Sequence, residues 1–107
     1  MFGSEPKTYW IYILVSNPRG VLYTGMTSDL AGRAWQHRER VREGFAKMYW
    51  AQRLVHFEEH DDAQAAARRE RALKRWWRDW KIALIEKQNP TWRDLFAEVV
   101  RADGFEW

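Results

Sequence analysis

Two short runs rich in β-branched and aromatic residues, parted by a turn signal, fix the start of this chain as a β-hairpin. Residues 9–15, Tyr-Trp-Ile-Tyr-Ile-Leu-Val, read as a strand. Ser16-Asn17-Pro18-Arg19-Gly20 reads as a turn. Asn17 opens it, Pro18 presets φ at the second position, and Gly20 closes it. Val21 to Gly25 is the second strand. A four-residue turn over 17–20 pairs Ser16 with Val21. Tyr12 then faces Gly25, and Tyr23 faces Leu14. Both tyrosines fall on one face of the hairpin, diagonally and roughly 7–8 Å apart. A slip of one residue would part them. Two tyrosines on a strand pair serve as core residues more often than as reactive groups.

Thr27, Ser28 and Asp29 are candidate caps for a helix that opens at Leu30 and runs to about Arg42, with Gly44 beyond its end. Leu30, Ala34, His37 and Val41 make one stripe of it. Arg53 to Glu58 reads as a third strand. Asp61, with Gln64 three residues on, resembles a capping box before a long helix to about Trp77. A shorter helix covers Trp80 to Lys87, and Asn89-Pro90 breaks it. Thr91 to Val99 reads as a last helix packed on the outside. The order β-β-α-β-α-α predicts a small α/β domain, a three-stranded antiparallel sheet flanked by helices. It takes in residues 9–98, with tails at 1–8 and 99–107. A chain of 107 residues holds one modest core and not two.

The chain has no Cys, which removes disulfides, thiolate zinc sites and Cys nucleophiles. No run approaches the roughly 18 apolar residues of a membrane helix. The polar stretch from Met1 to Thr8 has no signal-peptide core. The expectation is a soluble cytoplasmic protein with no membrane partner. Eight Trp imply a core of large aromatics with some left at the surface. The net charge of +3 says little by itself, but its distribution is uneven. Arg68, Arg69, Arg71, Lys74, Arg75, Arg78 and Lys81 crowd a segment that also carries Trp76, Trp77 and Trp80. Cations interleaved with aromatics suit a polyanion with stackable bases. A solvated helix face is the plainer alternative.

Three residues stand out chemically. Arg33 and His37 are four apart and share a helix face with Leu30 and Val41, so both are expected to border the core side. Glu70 falls in the apolar stripe Ala66, Leu73, Trp77 of the long helix. A carboxylate there needs a cation, either an ion-pair partner such as Arg33 or a metal. His56 and His60 lie on one side of the third strand but offer no compact ligand set. No Gly-rich phosphate loop and no nucleophile turn is present.

Tyr23-Thr24-Gly25 followed by Thr27, Leu30, Arg33 and His37 resembles the second motif of the GIY-YIG nucleases and the helix after it. Trp10-Ile11-Tyr12 lies where the Gly-Ile-Tyr motif falls. Leu54 to Glu58, Ala67 to Trp76, Trp80 to Glu86 and Asn89 to Leu95 resemble the short bacterial stand-alone branch of that family. The resemblance spans about residues 9 to 96. It implies catalytic roles for Tyr12, Tyr23, Arg33, His37 and Glu70, with Glu70 as the metal ligand. It adds Tyr49 as a further active-site tyrosine and Asn89 as a late Asn near the site. Trp10 stands in place of Gly and Thr24 in place of Ile, and both are expected on the face away from the tyrosines. Gly32 stands where an Arg often precedes the functional one, at a cost to the helix of about 1 kcal/mol relative to Ala.

The resemblance implies a DNA endonuclease that uses one divalent ion, Mg²⁺ or Mn²⁺, with RNA still open as a substrate. A single carboxylate ligand suits Mg²⁺, which keeps several waters. Arg33 would stabilise charge at phosphorus, a tyrosine would orient the attacking water, and His37 would share the proton relay. Arg38, Arg42, Lys47, Arg68, Arg71, Arg75 and Arg78 are the candidate backbone contacts, the last four recurring at helical spacing along one face. A non-catalytic nucleic-acid-binding module on the same fold is the rival reading, and a protein-interaction domain using surface Trp is a third.

Overall fold

The computed structural model describes residues 8–15, 20–33, 35–36 and 53–102, the last three as backbone only. Strands β1 (Tyr9–Val15) and β2 (Leu22–Thr27) form the expected hairpin, and β3 (Arg53–His60) pairs with the other side of β1. The result is an antiparallel sheet of order β2-β1-β3. Helix α1 opens at Leu30 and is described at 30–33, 35 and 36. Helices α2 (Ala63–Arg75), α3 (Arg78–Gln88) and α4 (Phe96–Ala102) follow β3. No described helix is long and apolar enough to cross a membrane.

Alternation along β1 builds two half-cores. Ile11, Ile13 and Val15, all fully buried, face α2 and α3 and meet Ala66, Leu73 and Ile85. Tyr12 and Leu14 face the other way, onto Leu54, Leu95 and Phe96. The C-terminal segment is therefore a third layer and not an outer decoration. Its helix begins at Phe96 and not at Thr91, since residues 89–95 are irregular.

A β-bulge serves both half-cores. Leu14 pairs with Leu54 and Ile13 with His56, which leaves Val55 over. Leu54 and Val55 are both fully buried, one in each cluster. The outer edge of β3 at this point is closed by the chain after α3. Leu54 N–H donates to Asp94 Oδ1 (3.1 Å), and the Leu54 carbonyl accepts from Leu95 N–H (2.8 Å). Trp92 adopts a left-handed φ of 57°, unusual for a bulky residue. Burial of its ring and an indole hydrogen bond to Glu86 (2.7 Å) hold it there.

Candidate active site

The hairpin register matches the one expected, with Tyr12 opposite Gly25 and Leu14 opposite Tyr23. Tyr12 and Tyr23 thus lie on one face. The Tyr12 ring leans across onto β2: a Cβ on Gly25 would sit 2.5 Å from both its Cζ and its Oη. Gly25 is the surface on which the phenol rests, and only glycine leaves room for it. Tyr23 is 41% exposed, so solvent reaches it. Thr24 faces the opposite side, as expected, and its buried hydroxyl has no hydrogen-bond partner among the described residues. Trp10 does not. It stands two residues from Tyr12 on the same strand, hence on the same face, and its ring meets Phe57 edge-on at 5.9 Å.

β2 runs directly into α1 through a tight cap. Thr27 Oγ1 accepts from Asp29 N–H, and Asp29 Oδ1 accepts from Gly32 N–H, both at 3.0 Å. Asp29 is thus the N-cap. A Cβ on Gly32 would collide with Asp29 Oδ2, so the residue that weakens the helix by propensity makes room for its cap. Leu30 and Ala31 turn inward, while Arg33 is exposed. The expectation that Arg33 borders the core is corrected: the inward stripe is set by residues 30 and 31, and 33 lies off it. His37 and Tyr49, and with them Arg38, Arg42 and Lys47, lie outside the described residues.

Glu70 sits on α2, whose N-cap is Asp62 and not the expected Asp61, with Asp62 accepting from Gln64 and Ala65 N–H. Ala66 and Leu73 pack under β1 and β2, and Glu70 shares their stripe with its side chain 22% exposed. Its described ionic partner is Lys74, 3.4 Å away and 54% exposed, rather than Arg33. An exposed i,i+4 pair of this kind contributes about 0.3–0.5 kcal/mol and leaves the carboxylate available. Trp77 does not extend the stripe. The helix stops at Arg75, Trp76 and Trp77 are extended, and Trp77 is 73% exposed. The same break parts Arg78 from Arg68, Arg71 and Arg75. All four are exposed, but Arg78 belongs to α3 and its Nη2 donates to the Gly20 carbonyl (2.7 Å).

A charged cluster not anticipated from the sequence lies where β3 meets α2. Arg69 Nε and Nη2 each donate to Glu58 at 2.9 Å, a two-pronged pair. Buried His56 lies 2.9 Å from the same carboxylate, and His60 lies 3.5 Å from it. Burial pushes the Glu58 carboxyl up, but hydrogen bonds from His56 and Arg69 and the Arg69 charge outweigh it, holding it well below the usual carboxylate range. The hydrogen bond to Glu58 raises the Arg69 guanidinium, which also lies over the Trp76 ring at 5.1 Å. The i, i+2 alternation of His56, Glu58 and His60 was the available signal for three of these four residues; Arg69 comes from another element.

Asn89, expected near the site, is the C-cap of α3. It is 2% exposed, and its amide is spent on the backbone. Nδ2 donates to the Val55 and Arg93 carbonyls (3.1 and 2.9 Å), and Oδ1 accepts from Arg93 N–H (3.2 Å). It ties the closing loop to β3. A cleft of about 140 Å³ there, lined in part by His56, Asn89, Arg93 and Glu98, is across the sheet from β2. Among the described residues no group of three or more His, Asp or Glu side chains is placed to hold a metal.

Residues 8–83 match the GIY-YIG catalytic domain, a stretch that holds the whole sheet, the α1 cap and all of α2. A UPF0213 protein of Haloquadratum walsbyi is 32% identical over 79 residues, covering 74% of this chain and 88% of that protein. No solved structure matches the chain. With its two motif tyrosines, its motif glycine and the helical Glu all inside the matched stretch, this chain belongs to the GIY-YIG family of nuclease-type catalytic domains.

Proposed function

We propose that this protein is a metal-dependent endonuclease that hydrolyses phosphodiester bonds in DNA. The observation that carries the reading is the hairpin packing: Tyr12 and Tyr23 on one face, with the Tyr12 phenol laid over Gly25 toward the β2 edge. α1, with Arg33, leaves from the end of that same strand, and α2, with Glu70, packs beneath β2 and β1.

Glu70 would hold the divalent ion, which when bound would supply Lewis-acid stabilisation of the charge on the phosphate. Tyr23, the phenol open to solvent, orients the attacking water and takes part in removing its proton. Tyr12 fixes the position of the site against Gly25. As water adds to phosphorus and the ester P–O bond breaks, Arg33 donates two parallel N–H bonds to the non-bridging oxygens. His37 and Tyr49 belong to the same proposal through the family's motif. The exposed arginines of α2 hold the flanking phosphates.

The deciding experiment measures cleavage of labelled DNA and RNA of several structures with Mg²⁺ or Mn²⁺, beside Mn²⁺ binding by calorimetry. Glu70→Gln should lose both cleavage and Mn²⁺ binding while keeping its fold and its DNA affinity. Full activity in EDTA, or unchanged turnover in Glu70→Gln, overturns the mechanism. A wild-type protein that binds DNA and never cuts it would be a binding module.

A further inference from the structure

We propose that Trp77 and Trp80 form an aromatic platform on which this protein stacks unpaired bases, so that its substrate carries single-stranded nucleotides. The proposal rests on the nucleic-acid reading above and narrows it to a substrate class.

Trp77 stands at a position where local stability asks for another residue. It is the N-cap of α3 and makes no side-chain cap bond. Ser, Thr, Asp or Asn there would satisfy an orphan N–H of the first turn. Instead the chain carries its largest apolar side chain, 73% exposed. Trp80, one turn on, is 56% exposed. Burial does not account for either ring.

The neighbouring Trp76 explains how the platform is held. Trp76 and Trp77 are the two extended residues between α2 and α3, with polyproline-like ψ of 147° at both, so their side chains leave in different directions, about 120° apart. Trp76 turns inward to the cluster of Ile11, Ala66 and Leu73. The Arg69 guanidinium lies over it, and its ring meets Trp80 edge-on at 6.0 Å and 81°. Arg69 is in turn clamped by Glu58. Trp80 is thus braced from beneath, while the Trp77 ring has no aromatic partner among the described residues.

Charge identifies the occupant. Between residues 71 and 81 lie Arg71, Lys74, Arg75, Arg78 and Lys81, against the single acid Asp79. The whole chain carries only +3, so the positive charge is concentrated around these indoles. An apolar patch on a protein partner does not call for such a surround, whereas a phosphate backbone does. In a regular duplex the bases are already stacked on one another and give an exposed indole nothing to cover. Unpaired bases offer a free π-face next to the phosphates that the cations hold.

The test is fluorescence anisotropy in EDTA, where metal-dependent cleavage is silent. The probes are a labelled blunt duplex, the same duplex with an unpaired overhang, and the overhang strand alone. Wild type should bind the last two more tightly than the blunt duplex. Trp77→Ala should lose on the order of tenfold on those two, with the duplex little changed, and Trp77→Phe should keep most of the affinity. Arg71→Gln should weaken all three alike. An unchanged thermal midpoint in Trp77→Ala shows that the fold is intact. Equal affinity of Trp77→Ala and wild type for the overhang probe overturns the proposal, and leaves the nuclease reading to Mg²⁺-dependent cleavage of the blunt duplex. If Trp77→Ala instead abolishes self-association in sedimentation with DNA binding untouched, the platform is a protein interface and the proposal is again overturned.

Discussion

Gly25 and Tyr12 are one unit, and neither can be understood from its own strand. The glycine is needed because the facing phenol occupies the volume a Cβ would take. Gly25→Ala should push the Tyr12 ring off the strand and destabilise the fold by about 1–3 kcal/mol, the range for overpacking. In a Tyr12→Ala background the same change should cost little, because the clash has gone. Urea unfolding of the two singles and the double gives the coupling, and strict additivity would show that the ring can move aside freely. The facing of Tyr12 and Gly25 was legible in the sequence from turn length, yet the reason for the glycine was not, because it depends on a side-chain tilt. Trp10 was misread on parity, being two residues from Tyr12 and so on its face. Trp77 was misread because the apolar stripe was extended past the real end of its helix. Asn89 carried a family role that the sequence could not tell apart from a scaffold role. Its two carbonyl partners are visible only once β3 and the closing loop are folded together.

At the scale of elements, the β3–α2 junction is held by charge as well as by packing. Glu58 and Arg69 are eleven residues apart and on different elements, so no periodicity marks them as partners. Their proton linkage has a definite sign. The Glu58 carboxyl is held below its ordinary value of 4.5, so the unfolded chain takes up its proton first on acidification. The stabilisation is fully present above that pH and is lost as pH falls below it. Glu58→Gln should cost about 2 kcal/mol near neutral pH, as for hydrogen bonds to a charged group. The gap to wild type should narrow steadily below pH 4.5 in denaturant titrations at a series of pH values. A gap that stays constant into acid would mean that shape, and not charge, holds the junction. The three strands and the helix after each break were legible because turn and cap residues punctuate them. The bulge at Val55 was not, since Leu54 and Val55 read as an ordinary apolar pair until both faces of the sheet are known to be covered.

For the molecule as a whole, the proposed function gives the exposed arginines of α2 the task of meeting a polyanion. Replacing Arg71 and Arg75 together with Gln should flatten the log–log salt dependence of duplex binding by up to about two units and weaken all sequences alike. Turnover at saturating DNA should hold, since neither residue is assigned to the reacting phosphate. An unaltered slope would send the DNA path to the first helix. The closing loop has a bearing on how this protein can be cut down in the laboratory. The family match ends at residue 83, but Trp92, Leu95 and Phe96 belong to the core, and Asn89, Asp94 and Leu95 occupy the outer backbone groups of Leu54 and Val55. A recombinant fragment trimmed at the family boundary would keep Tyr12, Tyr23, Arg33 and Glu70 and still be no smaller enzyme. It would present a bare strand edge flanked by Leu14 and Phe57, a template for other copies to add strand upon strand, and would be recovered as precipitate.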